Sequence, residues 1–135
     1  SKKAFIYIRL ATTLLISILS LSIILYSTAF AIDSYKILSI GLPLLFMIIG
    51  NFLPKMRKNY FVGIRTPWTL SNEEVWKKTH SLGGKVWFFL GFFGIVWGLV
   101  MPKAYFFIYI GLILVSTLWI VVYSYLEFKK LGTEL

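Results

Sequence analysis

Four long apolar runs divide the chain, and short polar segments separate them. The runs cover residues 10–32, 37–54, 86–102 and 104–126. As helices, they are long enough to cross, or nearly cross, a hydrocarbon core about 30 Å thick. Backbone groups in lipid must be hydrogen-bonded internally, so we predict an all-α integral membrane protein of one domain, with four transmembrane helices in a compact bundle. Residues 55–85 are then a cytoplasmic amphipathic segment between the second and third helices.

Composition supports this prediction, and charge adds an orientation. Hydrophobic residues make up 59% of the chain, and the mean hydropathy is +0.82, which is more than a small soluble domain can keep out of water. Most of the 14 Lys and Arg residues precede the first run, lie between the second and third, or follow the fourth. Because the other side has only Lys36 and Lys103, the positive-inside rule places both termini and residues 55–85 in the cytoplasm. Topology and anionic lipids account for the net charge of +9, so we expect no nucleic-acid partner.

The chain offers few groups for chemistry, since it has no cysteine and a single histidine, His80. This excludes disulfides and thiolate ligands and disfavours a metal site, so we expect no cofactor and no metal. Glu73 and Glu74 already have roles in helix capping or ion pairing, and no nucleophile pattern accompanies them. We therefore expect that the protein is not an enzyme. A membrane enzyme acting on a lipid through Glu73, Glu74 or His80 is the least favoured hypothesis.

Small residues indicate where the predicted helices pack closely. They form a stripe on the first helix at Thr13, Ser17, Ser20, Ser27 and Ala31, and one on the third helix at Gly84, Gly91, Gly94 and Gly98. We expect both stripes to be buried, and the glycine stripe suits internal packing and a homo-oligomer equally well. In the second helix Pro43 favours a kink, and we expect Asn51 to hydrogen-bond to another helix. Residues 101–103 predict a very tight turn.

A helix is predicted to begin after residue 70, because Ser71 and Glu74 have the spacing of a capping box. One side of this helix is formed by Val75, Trp76, Thr79 and Leu82, and the other carries the i, i+4 ion pairs Glu73 with Lys77 and Glu74 with Lys78. We expect the helix to lie amphipathically on the inner membrane surface. Gly83 and Gly84 then allow either a bend into the third membrane helix or a continuous helix.

The residues before this helix predict an ordered turn over residues 60–70. Gly63 can adopt a backbone angle that other residues avoid, and Pro67 keeps Thr66 out of the helical region. We expect three aromatic side chains to anchor the turn at the level of the lipid headgroups: Tyr60, Phe61 and Trp68.

Two polar residues in this region have competing interpretations. Arg65 can hold the fold, or it can hold an anionic ligand by forked hydrogen bonds, and the sequence favours neither. His80 falls one helical turn after Trp76, so the two side chains share a face. A structural hydrogen bond is the favoured role for His80.

The segment from Asn59 to His80, followed by Gly83, Gly84 and Lys85, closely resembles the signature of the SdpI-type immunity proteins of Gram-positive bacteria. The resemblance covers roughly residues 50–126. The candidate functional motif comprises Asn59, Tyr60, Gly63, Arg65, Thr66, Pro67, Trp68, Thr69, Trp76, Thr79, His80, Gly84 and Lys85.

The resemblance implies a multi-pass protein of the bacterial cell membrane that protects the cell from a secreted, SdpC-like peptide toxin, which collapses the membrane potential. The best-known member of the family has a second role, in which it sequesters a cytoplasmic repressor at the membrane when the toxin is present. The chain is expected to be a short member of the family, without the additional N-terminal membrane module of the best-known member. The expected partners are therefore the toxin, membrane lipids and, as an open possibility, a repressor.

Two hypotheses about mechanism follow. The predicted outer face is small, so helix faces are expected to bind an amphipathic toxin within the bilayer, while residues 59–80 fix the bundle or relay occupancy to a cytoplasmic partner. The alternative is a carrier or a protein that binds anionic lipid, with a cytoplasmic headgroup site formed by Arg57, Lys58, Arg65, Lys77, Lys78 and Lys85.

Overall fold

The structure, a computed structural model, describes residues 2–26, 34–100 and 102–134. Its helices are α1 (Lys2–Tyr26), α2 (Ser34–Phe52), α3 (Pro67–Ser71), α4 (Glu73–Val100) and α5 (Pro102–Glu134), and a single 3-10 turn (Leu53–Lys55) follows α2. The four long helices are apolar enough to cross a membrane, and the described residues contain no strand. The prediction of an all-α protein with four membrane helices is confirmed.

The long helices extend beyond the apolar runs that predicted them. α1 begins at Lys2, α4 begins at Glu73, and α5 continues to Glu134. Charged residues outside the hydrocarbon do not end a helix, because helix propensity and membrane partition are separate properties. The membrane limits at residues 10–32, 37–54, 86–102 and 104–126 therefore remain a prediction, and part of the first limit lies outside the described residues.

α4 lies at the centre of the bundle. It packs most extensively against α2 and then against α5, whereas α1 packs chiefly against α2 at the edge. The start of α1, the end of α2, the start of α4 and the end of α5 lie at one end, which also carries α3. We call this end the motif end.

The glycine stripe of α4 is buried against α2, as predicted. A Cβ atom on Gly84 would lie 2.7 Å from the Gly50 carbonyl oxygen, and one on Gly91 would lie 2.5 Å from the Pro43 carbonyl oxygen. Any larger residue would push the two backbones apart, so this seam depends on glycine. The stripe thus serves internal packing, and a homo-oligomer would have to use another surface.

The predicted buried stripe on α1 is wrong for the residues that the structure describes. Thr13, Ser17 and Ser20 are exposed, and Ser27 and Ala31 lie outside the described residues. The buried side of α1 instead includes Ala4 and Ser22. The hydroxyl group of Ser20 donates to the Ile16 carbonyl within α1 at 2.8 Å. A serine satisfied by its own helix needs no neighbour, so small polar residues do not by themselves identify a seam.

The tight turn predicted over residues 101–103 falls partly outside the described residues, because Met101 is not among them. α4 ends at Val100, and α5 already begins at Pro102. The expected hydrogen bond from Asn51 to another helix is wrong within the described part of the chain, because Asn51 is exposed at the end of α2. Its position near the helix end gives its amide access to water or headgroups instead.

Candidate functional site

α4 runs without interruption through Gly83 and Gly84. The expectation of a separate amphipathic helix on the membrane surface is therefore wrong, because Val75, Trp76 and Thr79 are completely buried in protein. The segment between α2 and α4 folds over this face of α4. Protein therefore covers the side chains that were expected to face lipid. A Cβ atom on Gly83 would approach Ile64 of that segment to 2.6 Å, so the glycine provides space rather than a bend.

The start of α4 is capped one residue later than expected. Asn72 Oδ1 accepts from the backbone N–H groups of Glu74 at 2.8 Å and Val75 at 3.1 Å. Ser71 is instead the last residue of α3, and its hydroxyl group donates to the Trp68 carbonyl at 3.0 Å. The predicted capping box at Ser71 is thus wrong, because α3 incorporates this residue and Asn72 caps α4 instead.

A capping box does occur at the start of α3. The backbone N–H of Thr69 donates to Thr66 Oγ1 at 3.1 Å, and the backbone N–H of Thr66 donates to Thr69 Oγ1 at 2.9 Å. Pro67 occupies the first helical position, where its lack of an N–H costs nothing. These local interactions fix the short α3 helix and bury both threonines.

Thr66 also joins the motif to α5. Ser124 donates to the Val121 carbonyl at 2.7 Å, which leaves the Ser124 oxygen to accept from Thr66 Oγ1 at 3.0 Å. Trp68 packs edge-on against Tyr125, with ring centroids 5.1 Å apart. Two neighbouring residues of α5 thus hold α3 in place.

His80 joins the loop to α4. Its Nε2 atom accepts from the backbone N–H of Ile64 at 3.0 Å, so the ring's proton is on Nδ1, which donates to the Trp76 carbonyl at 2.9 Å. The imidazole stacks on the Trp76 ring with centroids 3.9 Å apart, and the Trp76 indole N–H donates to the Met56 carbonyl at 2.9 Å. Because His80 is buried and both ring nitrogens are bonded, the structural role predicted for it is the one that the geometry supports.

Gly63 fits against this pair of rings. Its φ angle of +122° is the only positive one among the described residues, in agreement with the unusual angle expected there. A Cβ atom would lie 2.6 Å from His80 Nε2 and 2.9 Å from Trp76 Cη2. Gly63 is therefore required both by backbone conformation and by space.

Arg65 closes the loop on its exposed side. Its Nη1 atom donates to the Tyr60 carbonyl at 2.6 Å, across the bend that contains Gly63. Of the two roles left open for Arg65, this contact supports holding the fold.

Sequence reasoning missed one buried charge, Glu127 on α5. Its carboxylate accepts from Lys78 at 3.0 Å and from Lys130 at 3.0 Å, and Lys78 also pairs with Glu74 at 3.1 Å. The predicted pair of Glu74 with Lys78 is confirmed, whereas the described residues show no pair of Glu73 with Lys77. The only signal for Glu127 was its position three residues before a lysine.

The structure separates the thirteen motif residues into groups. A buried cluster at the motif end, which we call the motif core, contains Gly63, Thr66, Thr69, Trp76, Thr79 and His80, with Gly63 partly buried. Tyr60, Arg65, Pro67 and Lys85 are exposed, Asn59 and Trp68 are partly buried, and Gly84 lies in the α2–α4 seam. The described residues contain no cluster of three His, Cys, Asp or Glu side chains placed to hold a metal ion. The arrangement is thus suited to holding a loop on a helical bundle.

Two grooves open on the surface of the bundle. The first, of about 500 Å³, lies between α1 and α2 and is lined by apolar side chains, with Lys36 at one end. The second, of about 520 Å³, lies at the motif end between the start of α1 and the loop after the 3-10 turn, and combines apolar with basic side chains. We call them the membrane groove and the basic groove.

Comparisons with known proteins match the part of the chain that contains the motif core. The model of the SdpI/YfhL protein family matches residues 55–124. The immunity protein SdpI of Bacillus subtilis (strain 168) is 32% identical over 119 residues, which is 88% of this chain and 58% of that protein. The chain thus spans less than two thirds of the length of this relative. No solved structure was found to match the chain.

Proposed function

Since this chain belongs to the SdpI/YfhL protein family, we propose that it is a non-enzymatic immunity protein of the bacterial cell membrane that protects against a secreted, SdpC-like peptide toxin. Its four apolar helices make it a multi-pass membrane protein. In this proposal both termini and the motif end face the cytoplasm, as the distribution of Lys and Arg favours.

The membrane groove supports a mechanism in which the protein binds the toxin within the bilayer. On α1 it is lined by Leu14, Leu15 and Ile18, and on α2 by residues from Ile37 to Ile48. The groove lies between α2 and α1, and α1 packs chiefly on α2 at the edge of the bundle. We assign it to the apolar face of a helical toxin that has already entered the bilayer, where close van der Waals packing drives helix association.

Gly41 gives the groove its depth. A Cβ atom there would meet the Leu15 side chain, so a larger residue at position 41 would push Leu15 outward and fill the space. Lys36 at the end of the groove can interact with headgroups or with a polar end of the peptide. The outer connection between α4 and α5 is very short, which favours recognition within the bilayer over docking from outside.

In this mechanism the motif core holds the bundle rather than touching the toxin. Its hydrogen bonds connect the loop to α4 through His80 and to α5 through Thr66. In this proposal, relay to a cytoplasmic repressor uses the exposed side of the same loop, where Tyr60 lies.

The test is survival and membrane potential of toxin-sensitive bacteria that express the chain and are challenged with an SdpC-like peptide. Wild type is expected to protect, and the double variant Leu14→Trp/Leu44→Trp, which fills the groove from its rim, is expected to lose protection. Leu118→Trp is the control, because Leu118 is an apolar residue on α5 whose exposure of 66% is close to the 62% of Leu14. It should protect like wild type at equal expression.

Two results would contradict the proposal in different ways. Full protection by the filled-groove variant would exclude the membrane groove as the toxin site and leave the immunity function intact. Absence of protection by well-expressed wild type would exclude immunity to this toxin.

A further inference from the structure

We propose that the basic groove binds the headgroup of an anionic phospholipid, in addition to the immunity function and at a site separate from the membrane groove. Three cationic side chains line it: Lys2 at the start of α1, and Arg57 and Lys58 in the loop after the 3-10 turn. They converge from two segments that are far apart in the sequence. A phosphodiester between them could be bound bidentately by Arg57 and by the point charges of the lysines.

No ion pair within the described residues neutralises the charge of this groove. Lys2, Arg57 and Lys58 have no acidic partner among the described residues. The acidic side chains Glu74 and Glu127 lie on α4 and α5 and pair with Lys78 and Lys130. Three uncompensated cations around one concave surface favour an anion from outside the chain.

The structure reduces the number of basic residues that can form the headgroup site considered from sequence. Lys78 is occupied by Glu74 and Glu127, and Arg65 by the Tyr60 carbonyl. Neither Lys77 nor Lys85 lines the basic groove. Of the six basic residues considered from sequence, Arg57 and Lys58 are thus the two that the fold brings to a shared anion site, and Lys2 joins them.

The apolar part of the groove identifies the anion as a lipid rather than free phosphate. Phe5 and Ile6 of α1 are exposed by 43% and 45%, and Phe61 of the loop is exposed by 84%. All three line the groove beside the cations. Acyl chains would cover these side chains, whereas an inorganic ion would leave them in water.

The loop that carries two of the cations is held in a fixed shape. Asn59 Oδ1 accepts from the backbone N–H groups of Phe61 at 2.9 Å and Val62 at 2.8 Å, and its amide donates to the Arg57 carbonyl at 2.9 Å. Asn59 therefore sets the position of Arg57 relative to the apolar wall. Less conformational entropy is then lost when the headgroup binds.

The experiment measures retained lipid by native mass spectrometry on the purified full chain, after equilibration with vesicles of equimolar phosphatidylglycerol and phosphatidylcholine. Wild type is expected to retain phosphatidylglycerol preferentially. For Arg57→Gln/Lys58→Gln, the loss of two juxtamembrane charges should reduce that preference by up to about thirtyfold. Lys77→Gln/Lys129→Gln removes the same charge from exposed positions outside the groove and should retain the wild-type preference.

Each alternative result would overturn the proposal. An unchanged preference in Arg57→Gln/Lys58→Gln would exclude this groove, and an equal loss in the control would show a general charge effect. If millimolar inorganic phosphate displaced the phosphatidylglycerol, the site would be a phosphate site rather than a lipid site. Circular dichroism of both double variants should match wild type, since the substituted side chains are exposed or partly exposed.

Discussion

Replacing Gly63 with alanine is the most direct perturbation of the motif core. Gly63 has a φ angle of +122°, and its α-carbon faces the stacked rings of Trp76 and His80. An added methyl group would lie 2.6 Å from His80 Nε2, at the atom that accepts the N–H of Ile64. The substitution therefore acts on backbone conformation, ring packing and a buried hydrogen bond together.

The expected loss of stability is large for the addition of one methyl group. A non-glycine residue held at positive φ costs about 1–3 kcal/mol, and overpacking a tight core costs about 1–3 kcal/mol more. We expect Gly63→Ala to lower the free energy of unfolding by about 2–6 kcal/mol. Since typical domains are stable by about 5–15 kcal/mol, the variant should retain helices but lose much of its margin against unfolding.

The assay is unfolding of the purified chain in mixed micelles titrated with sodium dodecyl sulfate, followed by tryptophan fluorescence and circular dichroism. Gly111→Ala is the matched control, because a Cβ atom there meets nothing within 4 Å and the residue lies within α5. This control should be neutral or more stable by up to about 1 kcal/mol. A Gly63→Ala protein within about 0.5 kcal/mol of wild type would refute the role assigned to Gly63.

Two other substitutions test the packing of α4. Glu127→Gln should destabilise the protein less than Gly63→Ala, because the Lys78 side chain is half exposed. The difference in unfolding midpoint between this variant and wild type should shrink as the salt concentration is raised. A difference that does not depend on salt would contradict an ionic role for Glu127. Gly91→Leu should abolish stable folding, because the Pro43 backbone lies against that position, whereas Ser17→Leu on the exposed side of α1 should have little effect. The yield of monodisperse protein after detergent extraction measures the effect of Gly91→Leu and of Ser17→Leu. Equal yields of these two variants would contradict the seam between α2 and α4.

Local features of the sequence predicted the helices and part of the motif. Continuous apolar runs predicted all four membrane helices, because partition into lipid depends on the composition of each segment. The glycine spacing on α4 predicted a buried seam, and Gly63 predicted an unusual backbone angle. Each of these properties is decided by a residue and its close neighbours along the chain.

The errors occurred where several local solutions were equally good. Ser71 and Asn72 are both good helix caps, and only the length of α3 decided between them. Thr13 and Ser17 on α1 have the same spacing as a packing stripe, yet they are exposed. Spacing along a helix shows which residues share a face, but it does not show whether a neighbouring helix covers that face.

By itself, the sequence determined that the chain has four helices that can cross a membrane and that its distinctive residues cluster within residues 59–85. Only the tertiary structure decided that Thr66 bonds to Ser124, that Lys78 pairs with Glu127, and that Lys2 lies beside the loop. The physical reason is the distance along the sequence between the residues that interact. Helix formation and membrane partition depend on residues that are close in sequence, whereas these contacts join segments that only the packing of the bundle brings together.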